Sequence, residues 1–534
     1  MTIHNHGTRP YEWVGSISER RRQLSPERVA LVDADTGEEY TYEELDRRAN
    51  RAARLLRDHG VESGDRVAVV SRNRPEMVDL YFATAKIGAV LAPLSHRLAP
   101  GEIDEMLRDI EPILLLVETP FESDLATALE QADRAFDEPI VSLTTADTDH
   151  EAAFEPYASI RPDDDSPVET AEIALSDPHL FLHTGGSTGL PKEVVQTHGG
   201  IMWNAFNTII SWGLRPDDVT PMVFPMFHTG GWNVLTIPFF HLGGTVIISR
   251  DFDPEEVLEL IESYSASVLV AVPAVLRFMV EADRWDSTDL STLRVAKSGG
   301  GPCRDAIIES WAERGIELSQ GYGLTECGPN NFAMPDEFPR EKTDSIGVPA
   351  LYVDARIVDD DGKTVEQGAV GELELASPHA GDRYWRNEAE TEDVFGGAES
   401  QDGGAGNWVS TGDLARIDSD GYYHIEGRKK NLFVSGGENV YPPEVEDVIA
   451  DHPKVEDVIV VPVPDETWGE VGKAVVEGDD SLTLSELQSF MDSRIASFKI
   501  PKHIAFVEAM PTSGPAKIDR QAIESEFGGD AHDG

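Results

Sequence analysis

The run from His183 to Val194, HTGGSTGLPKEV, puts three glycines, three hydroxyl side chains and one lysine into twelve residues. Gly185-Gly186-Ser187-Thr188-Gly189 satisfies G-x-S-x-G, the strand-to-helix elbow that presents a nucleophilic serine. The same residues with Lys192 form a loop whose N–H groups, hydroxyls and mobile cation could cradle phosphate. The third reading is a plain turn. Order speaks against the nucleophile, because the candidate oxyanion glycines, His198-Gly199-Gly200, follow Ser187 instead of preceding it. Pro191 also falls where the elbow's helix should run. Walker A spacing is absent, since the sixth residue from Gly185 is Leu190 and from Gly186 is Pro191.

Other runs carry compatible chemistry. Gln320-Gly321-Tyr322-Gly323-Leu324-Thr325-Glu326 offers an aromatic face for a base, a hydroxyl for phosphate and a carboxylate that suits Mg²⁺. In Ser410-Thr411-Gly412-Asp413-Leu414 the carboxylate could accept both hydroxyls of a ribose. Gly427-Arg428-Lys429-Lys430 and Ser513-Gly514-Pro515-Ala516-Lys517-Ile518-Asp519-Arg520 add cations towards the C-terminus. Seven of the twelve lysines lie after Arg428, which reads either as residual surface charge or as a region that handles phosphates.

Elements of an α/β fold must position these runs. YEELDRRANRAARLLRDHG has helical spacing ending at a glycine and leads into the apolar strand RVAVVS. PEMVDLYFATAKIGAVLAPL reads as a helix and a further strand, and ILLLVE, GTVIIS and ASVLVAV are short β-branched strands. HLFLH leads into the glycine loop as a strand. Residues 155–170 read as an acidic, proline-containing loop and 396–407 as a Gly-rich one. After Asn431 the alternation restarts with LFVSG, PPEVEDVIADHP, VEDVIVVPVP, TLSELQSFMDSRI and HIAFVE, which predicts a separate small α/β domain.

The 534 residues are too many for one ordinary core, and 40% hydrophobic content can fill several. The charge of −54 is spread along the chain, which argues against nucleic acid or an anionic membrane as partner. It suits a surface whose self-repulsion is screened by salt, and we expect a salt-loving source. The N-terminus has no cationic or apolar signal region, and no apolar run reaches a membrane span, so a cytoplasmic protein without integral membrane association is expected. Two cysteines, Cys303 and Cys327, in no metal or redox spacing fit a reducing compartment.

Taken in order, HTGGSTGLPK, SGGGP (298–302), QGYGLTE, STGDL, GRKKN, SGGENVYPPEVE (435–446) and GPAKIDR resemble the AMP-forming adenylate synthetase superfamily, which includes acyl-CoA synthetases. The resemblance runs from about residue 12 to about residue 525. It implies a large N-terminal adenylation domain with mixed sheets and helices, residues 1–428, and a small mobile C-terminal α/β domain, 429–534, with a hinge at about 428–430. It implies ATP, Mg²⁺ and coenzyme A as cofactors, with a carboxylic acid as substrate. In the family the acid becomes an acyl-adenylate and then an acyl-thioester. By resemblance Thr184, Gly185, Gly186, Ser187, Thr188, Gly189 and Lys192 close over the phosphates. Gly300, Gly301, Gln320, Gly321 and Tyr322 line the adenine, with Tyr322 stacking on it. Thr325 meets the α-phosphate, Glu326 and Thr184 the metal, and Asp413 the ribose with help from Arg428. Lys430 is the hinge and Lys517 the lysine that reaches the reacting carboxylate, so Lys517, Lys192, Glu326 and Thr325 are the expected catalytic set.

The acyl pocket is expected at His228, Gly230, Gly231, Trp232 and Gly299, and the CoA contacts at Ser435, Gly436, Gly437 and Glu438. His228 is either a gate or a satisfied core histidine. No cation is seen there to receive a second carboxylate, which favours an apolar monocarboxylic acid, a fatty acid first and an aryl acid second. Departures from the family pattern are Glu193 and Ala516 at positions usually held by glycine, and Gly185 at a common serine; Pro515 stiffens the backbone beside Ala516. Glu193 must point away from the phosphates or pair. A serine hydrolase using Ser187 and a non-catalytic nucleotide-binding homologue are the rival classes; a monomer or homodimer is expected.

Overall fold

The structure is a computed structural model that describes residues 13–131, 140–143, 154–184, 192–301, 303–335, 337–396, 408–435, 438–465, 468–492, 494–512 and 518–528. Its centre is an eight-stranded sheet. From one edge the order is Arg383–Tyr384, Lys192–Thr197, Pro178–Thr184, Val90–Leu94, Arg66–Val70, Leu114–Val117, Ile140–Ser142 and Glu155–Pro156. Pairings from Pro178–Thr184 onward are parallel, and the two at the Arg383 edge are antiparallel. The central strands Arg66–Val70 and Val90–Leu94 are almost wholly buried, as expected for a sheet covered on both faces.

The helices covering this sheet form where the sequence signals them. Tyr42–Asp58 begins with a capping box in which Thr41 accepts from Glu44 N–H and the Glu44 carboxylate accepts from Thr41 N–H. Its arginines face the acidic loop: Arg51 pairs with Asp165 at 3.2 Å and Arg54 with Asp164 at 3.0 Å. Pro75–Ile87 is buried along its whole length, and is stopped by Gly88 at φ +78°. Four strands (Val219–Met222, Thr245–Ile248, Val29–Asp33, Glu38–Thr41) form a second sheet, and Val268–Ala271, Val295–Ser298 and Leu318–Gln320 a parallel third. An antiparallel fourth sheet holds Asp354–Val358, Gly371–Ala376, Val409–Ile417 and Tyr423–Arg428.

After the one-turn helix Lys429–Asn431 comes a five-stranded sheet with its own core, built on Val458, Val460, Ala474, Val476, Ile449 and Leu487. The expected strands and helices are present as Phe433–Ser435, Pro442–Ala450, Val455–Asp465, Leu484–Met491 and His503–Val507. Two further elements were not anticipated. The ten-residue strand Gly469–Gly478 is the centre of this sheet, but its glycines and charges hide the alternation; Arg520–Phe527 is a closing helix capped by Asp519. The sheet of the small α/β domain is mixed, since Gly469–Gly478 pairs antiparallel with Val455–Asp465 and parallel with His503–Val507. Among the described residues no helix is long and apolar enough to cross a membrane. Cys303 and Cys327 are both free and buried.

Candidate active site

The strand Pro178–Thr184 and the strand Lys192–Thr197 are antiparallel neighbours, and their last register pair is Thr184 with Lys192. Residues 185–191 therefore join two paired strands. Gly185, Gly186, Ser187, Thr188 and Gly189 lie outside the described residues. This topology removes the serine-nucleophile reading: an elbow needs a helix after the serine, and a strand follows instead. The HGG run opens the next helix, His198–Ser211, capped by Thr197.

Glu193 does not pair. It points into the core beneath the strand, 1% exposed, and neither carboxylate oxygen has a hydrogen-bond partner. Burial, aided by the charge of Asp109, pushes its carboxyl up to about 8. It sits there as a neutral acid at pH 7, so it neither pairs nor presents a negative charge.

Lys192 is the cation at the foot of the loop. Its ammonium contacts Glu390 Oε1 and lies 5.6 Å from the centre of the Tyr384 ring. Tyr384, carried by the edge strand, donates its hydroxyl to Glu326 Oε1 at 2.8 Å. Glu326 is fixed again through its backbone, whose carbonyl accepts from Gly381 N–H at 2.8 Å, while the Thr325 carbonyl accepts from Gln196 at 2.8 Å. Thus Lys192 meets Thr325 and Glu326, which lie more than a hundred residues further along the sequence. Tyr384 and Glu390 were missed by sequence reasoning; the run RYWRNEAET has no chemical signature of its own.

A second group gathers at Asp413. Asp413 and Arg428 are register partners on adjacent antiparallel strands, and Arg428 Nε reaches Asp413 Oδ1 at 2.6 Å. Tyr322 donates its hydroxyl to Asp413 Oδ2 at 2.5 Å, across 91 positions of sequence. Burial raises the Asp413 carboxyl, against the pull of Arg428 and the Tyr322 hydroxyl. The Tyr322 ring packs edge-on against Phe332 at 5.7 Å. Gln320 is pinned beside it: Oε1 accepts from Cys303 N–H at 3.2 Å and Nε2 donates to the Thr343 carbonyl at 3.2 Å. Gly321 N–H reaches the Ser298 carbonyl at 2.6 Å, which joins the QGYG turn to the glycines 299–301. Gly300 takes φ +85°, open to glycine and strained for other residues.

In the expected acyl region, Gly230–Val234 forms a single wide helical turn. A Cβ on Gly231 would lie 2.4 Å from the Pro225 carbonyl oxygen, so only glycine lets the turn close on residues 225–226. Trp232 is fully buried, donates its indole N–H to Met226 O at 2.5 Å and stacks on Tyr81 at 4.6 Å. His228 is exposed, in contact with Phe227 at 4.4 Å and facing His183 at 5.8 Å, so the core-histidine reading fails. Lys297, one residue before Ser298, is buried; it donates to Ser319 Oγ at 3.0 Å and stands 4.9 Å over Trp212. Burial lowers its ammonium to about 8.

The small domain carries less of the expected site. Lys517 and the glycines 436–437 lie outside the described residues, as does the Glu438 side chain. Ser435 is buried and pairs with Glu438 and Gly469. Lys430 is exposed in the turn between the two sheets. Among the described residues, four of the C-terminal lysines have partners within the protein. Lys429 pairs with Glu372 and Asp360, Lys454 with Glu486 and Lys499 with Glu444, while Lys473 is buried against Phe527. Arg304 of the large domain bonds Asp457 of the small one at 2.5 Å.

Comparison with known proteins agrees with this geometry. The AMP-binding enzyme family matches residues 18–385, and the AMP-binding enzyme C-terminal domain matches 444–517. A feruloyl-CoA synthase from Amycolatopsis sp is 36% identical over 517 residues, covering 96% of this chain and 99% of that protein. The long-chain-fatty-acid–CoA ligase FadD13 of Mycobacterium tuberculosis is 32% identical over 518 residues, with 96% and 98% covered. Among solved structures, ATP-bound MatB from Rhodopseudomonas palustris superposes with a TM-score of 0.85 at 27% identity, over 97% of this chain and 99% of that one. The chain thus belongs to the AMP-binding enzymes and is an AMP-forming acid–thiol ligase that uses ATP and coenzyme A.

Proposed function

We propose that the acid is an apolar monocarboxylic acid, with an aryl acid of the ferulate kind as first substrate class. The observation that carries this is the stack of buried Trp232 on Tyr81, with Phe224 against Gly230, which gathers aromatic rings in the expected acyl region. The 36% identity to a feruloyl-CoA synthase supports the same class. A straight-chain fatty acid is the second reading, supported by the 32% identity to a long-chain ligase.

In this reading Thr184, the loop 185–189 and Lys192 hold the outer phosphates of ATP. Tyr322 and Gln320, with Gly300, Gly301 and Gly321, bound the adenine. Asp413 takes the ribose hydroxyls in place of the Tyr322 hydroxyl and Arg428, its present partners. Attack of one anion on another requires that their repulsion be offset, and Lys192, Thr325 and Lys517 supply N–H, O–H and cationic partners for it. Glu326 and Thr184 offer hard oxygens, the donor type Mg²⁺ takes when phosphates complete its shell. Bound there, Mg²⁺ would neutralise phosphate charge. The domain boundary at 428–430 gives Lys430 the role of pivot. Its rotation withdraws Lys517 and brings Ser435, Gly436, Gly437 and Glu438 to the thiol. Exposed Val434 and Trp468, beside that hairpin, supply an apolar lip for pantetheine. The acidic surface fits an enzyme that works in concentrated salt inside the cell.

Acid-dependent ATP–pyrophosphate exchange at high KCl tests the reading. Hydroxycinnamates, benzoates and fatty acids of graded length should be run in one panel. Exchange strongest with aryl acids is expected; exchange that rises with chain length and ignores aryl acids would replace the first reading with the second.

A further inference from the structure

The lysine at the foot of the loop is already in contact with an anion. Glu390 Oε1 touches the Lys192 ammonium, and Glu390 Oε2 accepts from Asn387 Nδ2 at 2.7 Å. Asn387 caps the helix Glu388–Phe395 by accepting from Glu390 N–H, so the carboxylate is held by the first turn of that helix. Thr391, one residue on, fixes Tyr384: its Oγ1 accepts from Tyr384 N–H at 3.0 Å. The Tyr384 ring flanks the ammonium and its hydroxyl reaches Glu326. Both side chains of the ion pair are mostly covered, Lys192 17% and Glu390 29% exposed. A carboxylate fixed in that position neutralises the one lysine at the loop's foot. An incoming phosphate must displace it or share the ammonium with it.

We propose that Glu390 is a stand-in anion: it holds Lys192 in the nucleotide-free enzyme and competes with the outer phosphates of ATP for that ammonium. The proposal rests on the reading of Lys192 as a phosphate ligand. Glu390 is thus a positioning residue that sets the affinity for ATP and leaves that for AMP, which has no outer phosphates, unchanged. It fixes Lys192 when no nucleotide is bound, at the expense of ATP affinity.

Titration calorimetry of ATP and of AMP, with Mg²⁺ and without acid, tests this on the full chain at one KCl concentration. Glu390→Gln should tighten ATP roughly 3- to 10-fold, the scale of a partly exposed charge contact, and leave AMP unchanged. Glu390→Asp keeps the charge and should stay closer to the parent, whereas a purely structural role would make the two variants alike. An ATP affinity that is unchanged or weaker in Glu390→Gln of normal thermal stability overturns the proposal. Equal tightening of ATP and AMP overturns it as well. Lys192→Ala separates the two layers: it should weaken ATP, and if it does not, the phosphate reading of Lys192 falls and takes the proposal with it.

Discussion

At the scale of single residues, Glu193 shows how a charge written in the sequence can be absent from the folded protein. Its carboxyl titrates near 8 in the folded state against an ordinary 4.5, because no donor repays its burial. The native state therefore holds a proton that the unfolded chain releases. The resulting stability is full below about 4.5, declines as pH rises towards about 8 and is flat above. Glu193→Gln keeps the shape and removes the titration. The variant should be more stable than the parent by at least about 1 kcal/mol at pH 8, with no difference at pH 4. Thermal melts across that range measure it, and parallel curves for the two proteins would refute the neutral-acid assignment.

At the scale of elements, the wide turn Gly230–Val234 is held in place by contact between backbones. A Cβ at residue 231 has no room against Pro225 and Met226. Gly231→Ala should cost about 1–3 kcal/mol and displace His228 and Trp232 together. Acid binding should suffer more than nucleotide binding, which the exchange assay resolves as a raised KM for acid with the KM for ATP near that of the parent. The same scale explains what sequence reading could reach. Tyr42–Asp58 was legible because its cap and period agree, and Pro75–Ile87 because Pro75 opens it and Gly88 stops it. Gly469–Gly478 was not, because its strand character comes from two neighbours that pair with it, not from its own alternation.

At the scale of the whole molecule, two acidic bodies are docked through few cations. Arg304 reaches across to Asp457, but Asp305 faces Asp447 and Asp451 near the same contact. Burial first, then Glu446, Asp305 and Asp451, raise the Asp447 carboxyl to about 6, opposed by Arg304. Folded, Asp447 holds its proton more tightly than at its ordinary 3.8, so the stability it contributes is full below about 3.8 and is lost as pH rises through about 6. Asp447→Asn should remove that decline in thermal melts between about pH 4 and 7. Salt screens the like charges of the two bodies, since the screening length falls from about 10 Å at 0.1 M to about 3 Å at 1 M. Fluorescence transfer between labels on the two domains should therefore report opening at low KCl and closure on adding KCl. Transfer that ignores salt would show that this interface is not electrostatically controlled.

The sequence by itself determined the family, the order of the motifs, the two-body α/β plan and most of the elements, because each rests on local spacing that survives without neighbours. The tertiary structure alone decided which charges remain free to act. It placed Glu193 inside the core, spent three C-terminal lysines on carboxylates and buried a fourth, and paired Asp413 with Tyr322 and Arg428. It also brought Tyr384 and Glu390, which no motif marks, onto Glu326 and Lys192. The physical reason is that burial and partner choice depend on which strands lie side by side, and that is settled by packing across more than a hundred residues of chain.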